Sequence, residues 1–277
     1  MRPEDRRDDI VEFLIENGSA AVDELADTFA VSKMTIHRDL DFLEDEGLLR
    51  KVRGGATIEA SGQFESDFRY RVRIATEEKR EIAEKAAQFI EPGTSVMIDD
   101  GSTSLAIIPY LLKKTPLTVI TNNLEIVKQL SGRPGITLIT LGGSYAKKFN
   151  GFFGVLTHNA LSTLRADIAL LSTSAITNAT AYHQDQEILA VKRQMIESAS
   201  KAYLMVDHQK FGKTALHVFS HLSEFDGVIV SPQLPTETVR NLRQEGVRLH
   251  FTEDQHNDET ILDRHQLEDE QDPHGGT

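Results

Sequence analysis

Residues 22–47 read VDELADTFAVSKMTIHRDLDFLEDEG, and this stretch decides how the first part of the chain folds. Val22, Leu25, Ala26 and Phe29 recur on one face of a short helix that runs into Ala30 and Val31. Ser32 suits the N-cap of a second helix, because its hydroxyl can accept from a backbone N–H that has no partner within the helix. Ile36, Leu40 and Leu43 then follow at the i, i+4, i+7 spacing of a buried stripe. Lys33, Thr35, His37 and Arg38 fall beside or opposite that stripe, near the start of the second helix. Two helices joined in this way present side chains to a DNA major groove.

The flanks extend the pattern. Ile10, Phe13 and Leu14 mark a helix over residues 3–17 that stops at Asn17 and Gly18. After Gly47, residues 48–53 (LLRKVR) alternate loosely between apolar and basic, Gly54 and Gly55 permit a tight turn, and residues 56–58 return as a second strand. Three helices followed by a basic hairpin make a winged helix-turn-helix over residues 1–58. Its expected DNA contacts are Ser32 and Lys33 on phosphates, Thr35, His37 and Arg38 on bases or flanking phosphates, and Arg53 from the wing. The same helices also suit a packing or protein–protein module with a merely solvated hairpin, a second reading that stays open on pattern alone.

The net charge of −13 at first argues against nucleic acid. Its distribution softens the objection. Residues 253–277 hold nine acids against one base, so much of the charge sits in a tail with no apolar pattern, expected to be disordered. Residues 1–60 are themselves acidic, with fifteen acids and eight bases. Screening confines charge effects to roughly 8–10 Å at ordinary salt, so the local cluster of Lys33, Arg38, Arg50, Lys51 and Arg53 matters more than the sum.

Other bounds are simple. At 277 residues the chain is comfortable for two domains, and 39% apolar content supports real cores. The start, MRPEDRRDDI, is charged, and no apolar run is long enough to cross a bilayer, so a cytoplasmic protein without membrane contact is expected. Zero cysteines exclude disulfides and thiolate chemistry. Ten histidines show no HxH or HExxH spacing, so no metal is expected, and no cofactor either.

Residues 59–75 are charged and aperiodic and read as a linker. From residue 76 to 252, helical stripes alternate with apolar strands of five to seven residues: 95–99 (SVMID), 117–121 (LTVIT), 136–141, 166–172 (ADIALLS), 202–207 (AYLMVD), 227–231 (GVIVS) and 247–251. That alternation predicts a largely parallel α/β sheet covered on both faces. An apolar helix is expected after the polar turn 100–104, to about Leu112. Ligands of such sheets bind outside the carboxyl ends of the strands. Four polar loops stand there. Asp99, Asp100, Gly101, Ser102, Thr103 and Ser104 form a turn whose hydroxyls and N–H groups suit a phosphate, or an ordinary capped turn. Asn122 follows Thr121, and its amide can bond a sugar hydroxyl or cap the next helix. Gly142 and Gly143 allow close backbone approach, and the stretch 147–154 after them is a candidate lid or hairpin. Asp207 can accept from sugar hydroxyls, and Lys210 can set a positive charge against a phosphate. There is no GxxxxGK[ST] and no GxSxG, so neither a nucleotide triphosphatase nor a serine hydrolase is supported.

Both halves resemble the DeoR family of bacterial transcriptional regulators. The run from Val31 through Ser32, Lys33, Met34, Thr35, Ile36, His37, Arg38, Asp39 and Leu40 carries the resemblance in the first half. Leu43 to Leu49 and Arg53, Gly54, Gly55, Ala56 continue it. The 99–104 loop, Thr121-Asn122, Leu141-Gly142-Gly143, Val191-Lys192-Arg193 and Asp207 with Lys210-Phe211-Gly212 carry it in the second. The resemblance implies a fold related to ribose-5-phosphate isomerase and coenzyme A transferases, used for sensing. It also implies a homo-oligomer that binds operator DNA, represses sugar or carbohydrate metabolism genes, and answers to a phosphorylated sugar. His37 stands where the family commonly has the first of two adjacent arginines, residues 171–176 lack the family's glycine, and Ala190 replaces a usual acid. The rival function is a sugar-phosphate isomerase-like enzyme with an accessory helical domain.

Overall fold

The computed structural model describes residues 1–46, 48–58 and 67–253. Pro3 opens α1 (Pro3–Asn17), where its missing N–H leaves nothing unsatisfied. Gly18 closes that helix at φ +76°, its N–H reaching Leu14 O. β1 (Ser19–Ala21), α2 (Val22–Thr28) and α3 (Lys33–Asp45) follow. Ile10, Val11 and Leu14 of α1 meet Leu25 of α2 and Ile36, Leu40 and Leu43 of α3 in one apolar cluster. At about 1.5–3 kcal/mol for each large apolar side chain buried, this cluster outweighs the screened repulsion among the unit's exposed acids.

The wing strands β2 (Arg50–Val52) and β3 (Gly55–Thr57) pair antiparallel, and β1 adds to β3 on its other side. β1 carries no sequence signal. Its three residues are a strand because the edge of β3 needs partners for its backbone groups. Arg6 and Arg7 of α1 both donate to the buried carboxylate of Asp39, at 2.6 and 3.0 Å, and so bolt α1 to α3. Of the stretch 59–75 expected as a linker, residues 59–66 lie outside the described residues. α4 (Phe68–Arg73) occupies its second half, capped by Asp67, whose side chain accepts from Arg69 N.

The larger unit begins with α5 (Thr76–Ala87), then β4 (Ser95–Ile98), α6 (Ser102–Leu105) and α7 (Ile108–Leu111). The helix expected after the turn 100–104 and running to Leu112 therefore starts earlier, at Ser102, and is two short pieces. Ala106 N and Ile107 N bond three residues back instead of four, and Pro109 has no N–H with which to continue the ladder. β5 (Leu117–Thr121), α8 (Leu124–Leu130) and β6 (Ile136–Thr140) complete this half. A hairpin of β7 (Ser144–Ala146) and β8 (Gly151–Phe153) and then α9 (Val155–Ser162) lead to β9 (Ala166–Leu171). β10 (Ala175–Thr177), β11 (Thr180–His183), α10 (Gln186–Glu197), β12 (Ala199–Met205), β13 (His217–His221), β14 (Gly227–Val230), α11 (Thr236–Gln244) and β15 (Leu249–Phe251) finish the described chain. The acidic tail expected over 253–277 lies, beyond Glu253, outside the described residues.

Seven strands form one sheet in the order β15-β14-β12-β9-β4-β5-β6, with every pairing parallel. Successive residues feed opposite faces, as the two-residue period of a strand requires. Met97, Ala169, Leu171, Ala202 and Leu204 enter the core on one face. Val96, Ile98, Ile168, Leu170, Tyr203 and Met205 enter the core on the other, beneath α5. The antiparallel sheet β10-β11-β13 packs Ile176, Ala181 and Phe219 into the first of these cores. Because all seven strands run the same way, their carboxyl ends, and the loops that follow them, lie along one edge.

Candidate functional site

The first candidate surface is the face of α3 turned away from the apolar cluster. Ser32 caps the helix, its Oγ accepting from Thr35 N at 3.1 Å and lying 2.9 Å from Thr35 Oγ1. Lys33, His37 and Arg38 are exposed, and Thr35 is half-buried. Lys33 reaches Asp23 of α2 at 2.8 Å; both ends are solvated, so the contact contributes little and yields readily to a phosphate. Arg53 is exposed in the wing turn, where Gly54 adopts φ +82°. Met34, Phe42 and Val52 add exposed apolar contact area around the same elements. Of the six residues expected to contact DNA, Ser32, Lys33, His37, Arg38 and Arg53 are exposed, and Thr35 is half-buried with its hydroxyl partly engaged at the cap.

The second candidate site lies at the carboxyl edge of the sheet. Asp99 follows β4 and is fully buried. One carboxylate oxygen accepts from Gly101 N at 2.9 Å and from Ser104 Oγ. The other accepts from Ser172 N at 2.6 Å, from Ser172 Oγ at 3.1 Å, and from Lys192 Nζ. The turn must be tight for this to happen: a Cβ at Gly101 would sit 2.0 Å from Ser172 Oγ, so only glycine fits. Lys192, on α10, is 1% exposed and also lies 3.1 Å from Asp100 Oδ1, at ion-pair distance but off the hydrogen-bond direction. Burial pulls the Lys192 pKa down, but Asp100 and Asp99 more than offset it, and the net direction is up. Lys192 is therefore a cation beneath the loop.

Around this centre sit further groups. Asp207, after β12, is buried, and Lys210 N bonds back to its carbonyl at 3.2 Å. Glu78 of α5 fixes the same loop, accepting from His208 N at 2.8 Å and from Ser231 Oγ at 2.5 Å. A small cleft beside it is lined by Arg71 of α4, Lys79 of α5, Asp207, Lys210 and Lys213. Burial pushes the Lys79 ammonium down to about 8, with Lys210 and Arg71 adding to the fall and Asp207 opposing it. His183, at the end of β11, is held well below the usual histidine value by burial first and then by Lys192 and Arg71. Its Nδ1 accepts from Asp185 N at 3.2 Å.

Asn122 follows β5 and is fully buried. Its Nδ2 donates to Phe152 O at 3.1 Å, and its Oδ1 is buried without a hydrogen-bond partner. Gly142 and Gly143 follow β6, the outermost strand. Gly143 adopts φ +152°, and a Cβ there would meet Thr157 Oγ1 at 2.3 Å. The structure therefore brings together Asp99, Gly101, Ser102, Thr103 and Ser104, with Asp207 and Lys210 two strands away and Asn122 one strand away. Gly142 and Gly143 stand four strand spacings from Asp207, about 19 Å at the usual 4.8 Å per strand. The hairpin β7–β8 spans part of that distance: Phe149 in its turn comes within 6.2 Å of the His183 ring, and Lys148 O accepts from Phe68 N of α4.

The sequence reading did not assign roles to Lys192, His183, Lys79 or Arg71. Lys192 had a signal: it interrupts the stripe Ile188, Leu189, Val191, Met195 that α10 buries. The other three had none, because what gathers them is the crossing of separate elements. Among the described residues there is no group of three or more metal-ligating side chains, and no helix is long and apolar enough to cross a membrane.

The DeoR-like helix-turn-helix model matches residues 6–61, and the DeoR C-terminal sensor domain model matches residues 74–232. The chain belongs to the DeoR family. The glycerol-3-phosphate regulon repressor of Escherichia coli (strain K12) is 30% identical over 250 residues, covering 90% of this chain and 99% of that one. The L-fucose operon activator of Haemophilus influenzae is 31% identical over 239 residues, 86% of this chain and 96% of that one. DeoR-family relatives thus include regulators of both signs, and this chain is a DNA-binding transcriptional regulator of the same build. Among solved structures, ribose 5 phosphate isomerase A from Neisseria gonorrhoeae shares 19% identity over 48% of this chain and 52% of that one, with a TM-score of 0.34. That likeness is too remote to carry chemistry across.

Proposed function

We propose that this DeoR-family regulator binds operator DNA through α3 and the wing, represses genes of sugar or carbohydrate metabolism, and is controlled by a phosphorylated sugar held at the carboxyl edge of the sheet. Ser32 and Lys33 contact phosphates, Thr35, His37 and Arg38 contact bases or flanking phosphates, and Arg53 contacts the backbone from the wing. The observation that carries the DNA half is the solvent-facing row Lys33, His37, Arg38 on a helix whose opposite stripe is buried. In the sensor half, residues 101–104 and Lys210 hold the phosphate, and Asp99, Asn122, Gly142, Gly143 and Asp207 contact the sugar or shape its pocket. Support comes from the surplus of cations at that edge and from Asn122 Oδ1, a buried acceptor with no partner. Relatives named for a glycerol-3-phosphate regulon and an L-fucose operon support a carbohydrate setting.

The protein works without catalytic turnover in this reading. Asp99, the best-placed carboxylate, already accepts from five donors, which leaves it no lone pair aimed at a substrate proton. The isomerase alternative is not favoured. A homo-oligomer, dimer or tetramer, in the cytoplasm fits the way a helix-turn-helix reads two half-sites roughly 34–36 Å apart. Control requires the effector to bind the DNA-competent and incompetent states unequally.

The test pairs two assays on one variant. Arg38→Ala loses operator retardation and keeps its heat stabilisation by a phosphorylated sugar. Operator affinity equal to that of the parent in this variant sinks the α3 assignment. A thermal-shift panel of phosphorylated sugars identifies the effector, since a ligand at a hundredfold excess over Kd stabilises by about 2.7 kcal/mol.

A further inference from the structure

Arg71 of α4 is a charged side chain whose donors are not all satisfied. Its Nε and one terminal nitrogen, Nη2, are buried and have no hydrogen-bond partner. The guanidinium lies 5.7 Å from the Phe68 ring centroid, within cation–π reach, but that contact leaves Nε and Nη2 without an acceptor. An arginine is always charged, and buried donors of this kind are nearly always paired. Arg71 also lines a cleft, and a planar fork of donors without partners suits a planar or tetrahedral oxyanion.

The cleft is cationic. Arg71, Lys79, Lys210 and Lys213 line it, and Asp207 is the one carboxylate among its lining residues. The neighbouring sensor loop at Asp99 and Lys192 is close enough for both Arg71 and Lys192 to act on His183. Lys79 Nζ donates to Arg71 O and to Ile74 O, so the end of α4 is pinned to α5 beside the cleft.

The other side of α4 belongs to the winged unit. Arg73 reaches Glu12 at 2.5 Å and Glu16 at 3.2 Å on α1. Arg69 bonds Asp67 at 3.1 Å and reaches Asp8 of α1 at 3.4 Å. Tyr70 packs against the apolar cluster of the three-helix unit. Residues 69, 70 and 73 share one helical face, and residues 68 and 71 share another. One six-residue helix therefore touches α1 with one face and the cationic cleft with the other.

We propose that Arg71 is a phosphate ligand contributed by the linker helix, and that it transmits effector binding to the DNA-binding unit. This rests on the sensor reading above. A phosphate monoester dianion seated by Lys210 fills the open donors of Arg71 and draws α4 toward the sheet edge. α1 follows through Arg69, Tyr70 and Arg73, and α3 follows α1 through the shared Asp39. The ligand distinguishes the two states of the regulator because only one of them offers the Arg71 fork in register.

The experiment uses the full chain, with inorganic phosphate and then a panel of phosphorylated sugars as probes, and sodium chloride at matched ionic strength as the control. The variants are Arg71→Met and Arg71→Lys. In the parent, phosphate raises the melting temperature and shifts operator affinity. Arg71→Met is expected to melt at or above the parent's temperature without phosphate, because it removes an unpaired buried charge. It binds the operator within about threefold of the parent, weakens phosphate or sugar-phosphate binding by about tenfold or more, and no longer couples the two. Arg71→Lys recovers part of the binding but little of the coupling, since a point charge lacks the fork. A parent that responds to phosphate or to a sugar phosphate while Arg71→Met responds equally overturns the proposal and leaves the sensor reading intact. A parent that responds to no probe overturns both. An Arg71→Met chain that melts several degrees below the parent without ligand also overturns it, because the guanidinium is then structural.

Discussion

Lys192 Nζ stands between two carboxylates, 3.1 Å from Asp100 Oδ1 and in direct hydrogen bond to Asp99, with all three side chains 1% exposed or less. Asp99 has four other donors, whereas Asp100 has none besides this ion pair. The lysine therefore matters more to Asp100 than to Asp99.

Replacing Lys192 by Met leaves Asp100 buried without a compensating charge. The loss should be about 3–5 kcal/mol, the usual cost of breaking a buried pair from one side. Adding Asp100→Asn to that variant should recover a large part of it, while Asp100→Asn alone changes stability far less. Urea melts of the four proteins in the cycle measure this, and strict additivity would contradict the geometry. The raised lysine pKa sets the sign of the pH dependence. This contribution is fully present below the unfolded lysine value of about 10.4 and disappears only as pH rises through the higher folded value.

Asp39 carries the corresponding burden in the winged unit. Asp39→Ala strands Arg6, which is 7% exposed, and removes the partner of Arg7. The expected cost is about 3 kcal/mol, confined to the α1–α3 contact. Hydrogen exchange should show residues 3–57 opening while the sheet stays protected, and operator binding should fall with them. Uniform loss of protection in both units would contradict a local role.

Lys79 gives the sensor cleft a pH dependence near neutrality. Burial holds its pKa down to about 8, below the unfolded value. The buried charged form costs stability below pH 8, so the unliganded protein gains stability as pH climbs from about 8 towards 10.5. An anion in the cleft favours the charged form. Its affinity should therefore fall across pH 7 to 9, and binding at pH 8 should take up a proton. Calorimetry in buffers of different ionisation enthalpy reads that proton directly, and Lys79→Met should abolish the uptake.

His37 is exposed on α3, at a position where arginine is common in the DeoR family. His37→Arg adds a full charge opposite the DNA backbone. Operator affinity should rise at low salt, and the slope of log affinity against log salt should steepen by about one. An unchanged slope would put residue 37 away from the phosphates.

Much of the DNA-binding half could be read without coordinates, because its signals are local. The cap at Ser32, the stripe Ile36, Leu40, Leu43 and the terminator at Gly18 each act within a few residues of themselves. β1 escaped because three residues have no period and owe their conformation to β3. In the larger unit the strands of the seven-stranded sheet were legible as apolar runs, since a parallel sheet buried on both faces needs them. β10, β11, β13, α9 and α11 were not. β11 pairs with both β10 and β13, and α11 buries little beyond Leu242.

What this sequence determined alone is the alternation of elements, the capped helix that faces DNA, and the polar loops that follow apolar strands. Each depends on hydrogen-bonding and burial periods that repeat within one element. Only the tertiary structure decided which charges meet: Lys192 under Asp99 and Asp100, Asp39 of α3 against Arg6 and Arg7 of α1, and Arg71 in a cleft built from α4, α5 and the loop after β12. Those partners lie tens of residues apart in sequence, and the cost of leaving a buried charge unpaired becomes visible only when the chain has closed around it.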